Sequence, residues 1–111
     1  MDVIRQTRTQ GGWSVIEVEG ELDLHTSPAL RDHVLGLIDQ GARRLAIDMS
    51  KVDFMDSSSL GALITCLKRL RESDGRLVLV GMDGPPMKVM TLTGLDRVFE
   101  FIDPGAELPD D

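Results

Sequence analysis

A chain of 111 residues is the size of one domain, with one core and room for one principal site. Apolar residues at 41% and charged residues at 28% are globular proportions and exclude a disordered or fibrous chain. Asp and Glu number 19 against 12 Lys and Arg, and the resulting net charge of −7 repels duplex DNA and anionic membrane surfaces at long range.

No local basic patch reverses that balance. The densest basic stretch, Lys68-Arg69-Leu70-Arg71, is broken by Leu70 and followed by Glu72, so no nucleic-acid partner is expected. Cys66 is the single cysteine, which leaves no internal disulfide and no multi-cysteine zinc site. The carboxylates are scattered rather than grouped at ligand spacing, so neither a metal nor a cofactor is expected. Met1-Asp2-Val3-Ile4-Arg5 has neither the basic start nor the apolar run of a signal peptide, and no stretch approaches the ~20 apolar residues of a membrane span. The expected location is the cytoplasm, without membrane insertion. Aromatic residues at 4%, with no Tyr, are too few for a base-stacking platform.

From Trp13 to Leu22, Ile16, Val18 and Leu22 share one face while Glu17, Glu19 and Glu21 share the other, the period-2 pattern of a half-buried strand. Gly11-Gly12 supplies a turn before it and makes Val3 to Thr9 its hairpin partner. Thr26-Ser27-Pro28 starts a helix, with a hydroxyl to cap free N–H groups and Pro where no N–H is needed. Leu30, Val34, Leu37 and Ile38 continue it at helical spacing, and Gly41 ends it. Leu45 to Met49 and Leu77 to Val80 are short apolar runs, the second with no polar face, as in strands buried on both sides. Between them, Leu60, Leu63, Ile64, Leu67 and Leu70 form the best-defined helical stripe in the chain, closed by Asp74-Gly75.

A third helix is expected after Pro85-Pro86, with Gly94 as its stop. Its buried side is ambiguous, because Met87 with Met90 and Val89 with Leu92 point in different directions. Val98 to Ile102 reads as a last strand. The order β-β-α-β-α-β-α-β predicts a single α/β domain whose mixed sheet combines an N-terminal hairpin with parallel, right-handed βαβ crossovers and helices packed on the sheet. Its core spans about 3–102, and the acidic, Pro- and Gly-containing segment 103–111 is expected to be mobile.

Chemistry concentrates in two stretches. In Val52-Asp53-Phe54-Met55-Asp56-Ser57-Ser58-Ser59-Leu60-Gly61, a carboxylate and three hydroxyls form a turn between an apolar strand and the best helix. Asp56 or Ser57 suits an N-cap, and capping alone accounts for one of them. Three successive serines exceed that need, and a serine in the first helical turn, near the helix's positive end, also suits phosphorylation. In Gly20-Glu21-Leu22-Asp23-Leu24-His25-Thr26-Ser27-Pro28, Asp23 ends a strand and precedes a helix, where α/β proteins gather their sites. Asp23 reads equally as a solvated loop carboxylate.

A serine hydrolase is disfavoured. Neither His25 in its polar loop nor His33 on the first helix is placed as a base, and a Gly-x-Ser-x-Gly elbow is missing. Gly81 to Pro86 lacks the Lys-Ser/Thr ending of a phosphate-binding loop. Cys66, between Ile64 and Leu67, reads as a partly buried small apolar residue.

Gly20-Glu21-Leu22-Asp23-Leu24, then Pro28-x-Leu30-Arg31, and then Val52-Asp53-Phe54-Met55-Asp56-Ser57-Ser58-Ser59-Leu60-Gly61 together resemble the STAS domain family, in particular bacterial anti-sigma factor antagonists. Gly94-Leu95-Asp96-Arg97-Val98-Phe99 extends the resemblance over nearly the whole chain. The resemblance implies a non-enzymatic, cytoplasmic partner-switching protein acting in stress response, sporulation or development. It implies binding to an anti-sigma factor serine/threonine kinase, which frees a sigma factor. The kinase then ends the contact by phosphorylating the antagonist, and a serine phosphatase of the metal-dependent type restores it. Ser58 matches the family's modified serine, with Ser57 and Ser59 as alternatives because Ser59 stands where many members carry Gly. Asp23, Thr26, Asp56, Ser57, Ser58 and Ser59 form the implied partner-binding face, and a homodimer is compatible with it. Pro104-Gly105 and Pro109 leave little room for the C-terminal helix of many members. The alternative function is a STAS adaptor subunit of a transport or other multi-protein complex, without sigma-factor regulation.

Overall fold

The computed structural model describes residues 2–109. Its elements are β1 (Ile4–Gln10), β2 (Trp13–Leu22), α1 (Ser27–Asp39), β3 (Arg44–Met55), α2 (Ser57–Glu72), β4 (Arg76–Val80), α3 (Gly84–Thr93), a 3-10 turn (Leu95–Arg97) and β5 (Glu100–Ile102). The five strands lie side by side in chain order, with β1 antiparallel to β2 and every later pair parallel. The α/β class with its mixed sheet is therefore as the sequence pattern indicates. Parallel connections that always step to the next strand in the same direction, with the usual right-handed crossover, put every helix on one face of the sheet.

Burial follows from that one-sidedness. The main core joins Ile16, Val18 and Leu22 of β2 to Leu30, Val34 and Ile38 of α1, Leu63 and Leu67 of α2, and Met90 of α3. Met90 is the fully buried residue of α3, while Leu92 is 76% exposed, which resolves the ambiguity of that helix. Cys66 is completely buried rather than partly so. A smaller cluster of Trp13, Val15, Ala46 and Val78 occupies the opposite face of the sheet, with Val80, Ile102 and Leu108 packed on it.

Three further features depart from the sequence expectations. The third strand does not stop near Met49 but runs on to Met55, taking in Val52 to Met55, which the sequence pattern leaves outside the strand. The pairing explains why: between Glu17 and Glu19 and again between Gly20 and Glu21, the register slips so that β3 carries an extra residue each time. These bulges turn the buried positions Met49, Val52 and Met55 into a spacing of three that period-2 reading misses. The last strand begins at Glu100, because Leu95–Arg97 is wound into a 3-10 turn and leaves Val98 exposed. Thr26 occupies the N-cap of α1 but makes no side-chain capping bond.

The segment expected to be mobile folds back over the open face of the sheet. Trp13 Nε1–H donates to the Pro109 carbonyl at 2.8 Å, and Leu108 rests on the Trp13, Val15, Ala46 and Val78 cluster. An apolar sheet face without helices needs cover from water, and this strap supplies it. The remainder of that segment, 110–111, lies outside the described residues.

Candidate functional site

The two stretches picked out by their chemistry meet because their strands are neighbours. Leu22 and Met55 are partners in the β2–β3 register, so the loops that follow them leave the same end of the sheet side by side. The Asp56 backbone N–H donates to the Leu22 carbonyl at 3.2 Å and fastens one loop to the other. Asp23 and Asp56 are each the first residue beyond these paired positions.

Asp56 is the cap of α2, as its place before the serines allows. Its backbone is extended, and Oδ1 accepts from the N–H of Ser58 at 2.9 Å and of Ser59 at 3.2 Å. These are two of the N–H groups that a helix start leaves without carbonyl partners. The three serines then differ sharply. Ser57 is exposed, Ser58 is half-buried, and Ser59 is only 1% exposed with its hydroxyl donating to the Asp56 carbonyl at 2.6 Å. Ser59 thus faces the core, on the side of Leu63, rather than solvent.

The neighbouring loop is held by Asp23. Its Oδ1 accepts from the N–H groups of His25 at 2.9 Å and Thr26 at 3.0 Å, and these backbone donors, His25 first, hold the carboxyl below its ordinary range. Thr26 adds a second tie, its hydroxyl donating to the Glu21 carbonyl at 2.7 Å and accepting from the Asp23 N–H at 2.9 Å. The Thr26 hydroxyl therefore braces the loop instead of capping the helix. Asp23, which the sequence left between a site residue and a solvated carboxylate, is an ordered part of this end of the sheet.

Between the N-terminal turns of α1 and α2 lies an open cleft of about 330 Å³, with Leu24, Ser27 and Arg31 on one wall and Ser58, Gly61 and Thr65 on the other. Two apolar side chains stand out at this end of the molecule: Leu24, 67% exposed on the cleft wall next to Asp23, and Phe54, 44% exposed on β3 opposite Glu21, beside the core positions Leu22 and Met55 but facing away from them. Sequence reasoning missed both. Leu24 lies beyond the strand's alternation, and Phe54 is turned outward by the bulged register. Arg31, Ser27, Gly61 and Thr65 were also missed as cleft residues, since only the packing of α1 against α2 brings them together.

Neither histidine joins the site as a base. His33 Nε2 is 2.8 Å from the Thr7 hydroxyl, and His25 is exposed with its backbone engaged by Asp23. Among the described residues, no three His, Cys, Asp or Glu side chains group as metal ligands. No helix among the described residues is long and apolar enough to cross a membrane.

The paired loops and the capped serine helix agree with comparisons to known proteins. The STAS domain family model matches residues 5–107. The chain belongs to the STAS domain family. The anti-sigma-B factor antagonist of Staphylococcus aureus (strain NCTC 8325 / PS 47) is 30% identical over 95 residues, covering 86% of this chain and 88% of that protein. An anti-sigma factor antagonist from Mycobacterium paratuberculosis superposes with a TM-score of 0.77 at 30% identity, covering 86% of this chain and 81% of that one. The Bacillus cell fate determinant SpoIIAA in its phosphorylated form superposes with a TM-score of 0.70 at 28% identity, covering 88% of each chain.

Proposed function

We propose that this STAS domain is an anti-sigma factor antagonist, a non-catalytic cytoplasmic protein that binds an anti-sigma factor serine/threonine kinase and is switched off by phosphorylation at Ser58. The observation that carries the reading is the position of Ser58, half-buried at the cleft in the first turn of α2, on the face it shares with the Asp23 loop. Relatives named as anti-sigma factor antagonists, one of them solved in a phosphorylated form, support it.

Ser58 is the best acceptor of the three serines on physical grounds. Ser59 would have to break its bond to the Asp56 carbonyl and leave the core, and Ser57 lies off the cleft. In the transfer, Ser58 Oγ attacks the γ-phosphorus of the kinase's ATP. The bond to the ADP leaving group breaks, and the hydroxyl proton passes to a base on the kinase. A metal-dependent serine phosphatase reverses the modification with water, releasing inorganic phosphate.

The binding face combines Asp23, Asp56, Ser57 and Ser58 with the exposed Leu24, an apolar anchor beside polar groups. A serine hydroxyl can be desolvated there at modest cost once it finds a hydrogen-bond partner. Phosphorylation adds about −1.5 to −2 charges to a face that already carries Asp23 and Asp56, so the kinase contact weakens through desolvation and like-charge repulsion.

The test of the modification site is incubation of the protein with ATP and the serine kinases of its own cell, followed by mapping of phosphopeptides. Phosphate on Ser58, abolished by Ser58→Ala, is the expected result. No phosphoserine, together with co-purification of an ATP-driven transporter, would replace this function with that of a STAS adaptor subunit.

A further inference from the structure

The cleft beside Ser58 has a chemical character unlike the rest of this acidic chain. Arg31 is the one charged residue on its walls, and no carboxylate lines it, although the chain carries a net charge of −7. Among the described residues, Arg31 is engaged only through Nε, which donates to the exposed Asp32 at 3.1 Å, so its Nη groups have no hydrogen-bond acceptor. Opposite Ser58, Ser27 is 2% exposed and its Oγ has no hydrogen-bond partner. A buried hydroxyl without a partner is costly and calls for an explanation. Gly61 forms part of the wall, and a Cβ built there would meet nothing within 4 Å, so the helix surface beside Ser58 is open. The N-terminus of a 16-residue helix adds its positive end to the same space.

We propose that this cleft is a built-in receptor for the phosphoryl group of phosphorylated Ser58, with the Arg31 guanidinium and the Ser27 hydroxyl donating to its oxygens. The inference rests on the reading of Ser58 as the modified residue. It adds the means by which the modified protein stays folded. Three neighbouring carboxylates are already engaged: Asp56 caps α2, Asp23 holds the His25 and Thr26 N–H groups, and Asp32 takes only Arg31 Nε. Arg31 therefore offsets the repulsion that Asp56 would exert on the phosphate, while a partner approaching from outside still meets an added negative charge. The same pairing makes release of the phosphate by the phosphatase dependent on breaking the Arg31 contact.

The test uses the full chain with phosphoserine introduced at position 58 during translation, so that no kinase is needed, and follows the phosphorus NMR signal against pH. A free phosphoserine takes up its second proton near pH 6. In this protein the midpoint is expected to lie lower, and Arg31→Gln is expected to raise it by about half a unit, as for a partly exposed ion pair. Ser27→Ala should move it in the same direction by less, and Arg31→Lys should restore part of the shift. Amide spectra of each variant check that the fold is retained. The same midpoint in the parent and in Arg31→Gln would overturn the receptor, whether or not that midpoint lies below the free value. A failure of kinases to modify Ser58 would instead overturn the functional reading and leave this measurement unchanged.

Discussion

At the scale of single residues, local partners separate side chains that the sequence presents as equivalent. Ser57, Ser58 and Ser59 are chemically identical, yet one is exposed, one lines the cleft and one is locked to the Asp56 carbonyl. Cys66 illustrates the same control of reactivity by environment. Complete burial pushes its thiol up to about 12, because the thiolate cannot be solvated among Leu63, Leu67 and Leu70. The unfolded thiol ionises near pH 8.5. Folding stability from this group is therefore fully present below about pH 8.5 and is lost as pH rises toward the folded value. A disulfide reagent such as Ellman's is expected to leave Cys66 unmodified in the native protein at pH 8 and to react promptly once denaturant is added. Rapid reaction of the native protein would show that the α2 core opens far more readily than its packing implies.

At the scale of elements, the junction between β3 and α2 determines where the site stands. Asp56→Ala removes the acceptor for two N–H groups and is expected to lower stability by about 1 kcal/mol, readable as a shift in the urea midpoint with an unchanged slope. Asp56→Asn, which keeps a capping oxygen, should recover most of it, and equal losses in both variants would argue against capping as the cause. Much of this junction was legible in the sequence, since the stripe from Leu60 to Leu70 is unambiguous and an acidic residue before three serines reads as a helix start. The bulges were not legible. They arise because β3 carries two more residues than β2 over the paired stretch, a mismatch visible only when the two strands are laid against each other. The hydroxyl cap expected at the start of α1 does not form, because the Thr26 hydroxyl is already committed to the Glu21 carbonyl and the Asp23 N–H. The cleft needs the α1–α2 contact, so Arg31 and Ser27 are not legible as cleft residues in the linear chain.

At the scale of the whole molecule, strand order links these local features to the function. Sequential parallel strands keep all the helices on one face, which leaves Trp13, Val15, Ala46 and Val78 for the C-terminal strap to cover. The apolar run at Val78 announced burial on both sides of β4. It did not reveal that the second side would be closed by Leu108 and Pro109 rather than by a helix. The same topology brings the ends of β2 and β3 together and presents the Asp23 loop and the serine turn as one surface. The charge of −7, which argues against direct contact with DNA, suits a protein that influences transcription through a partner. The central claim is that phosphate on Ser58 switches this surface off, and calorimetric titration of an anti-sigma factor kinase from the same cell with unmodified and Ser58-phosphorylated protein tests it most directly. The account predicts tight binding by the unmodified form and affinity at least about tenfold weaker after phosphorylation, a difference of roughly 1.4 kcal/mol or more; equal affinity of the two forms would contradict it.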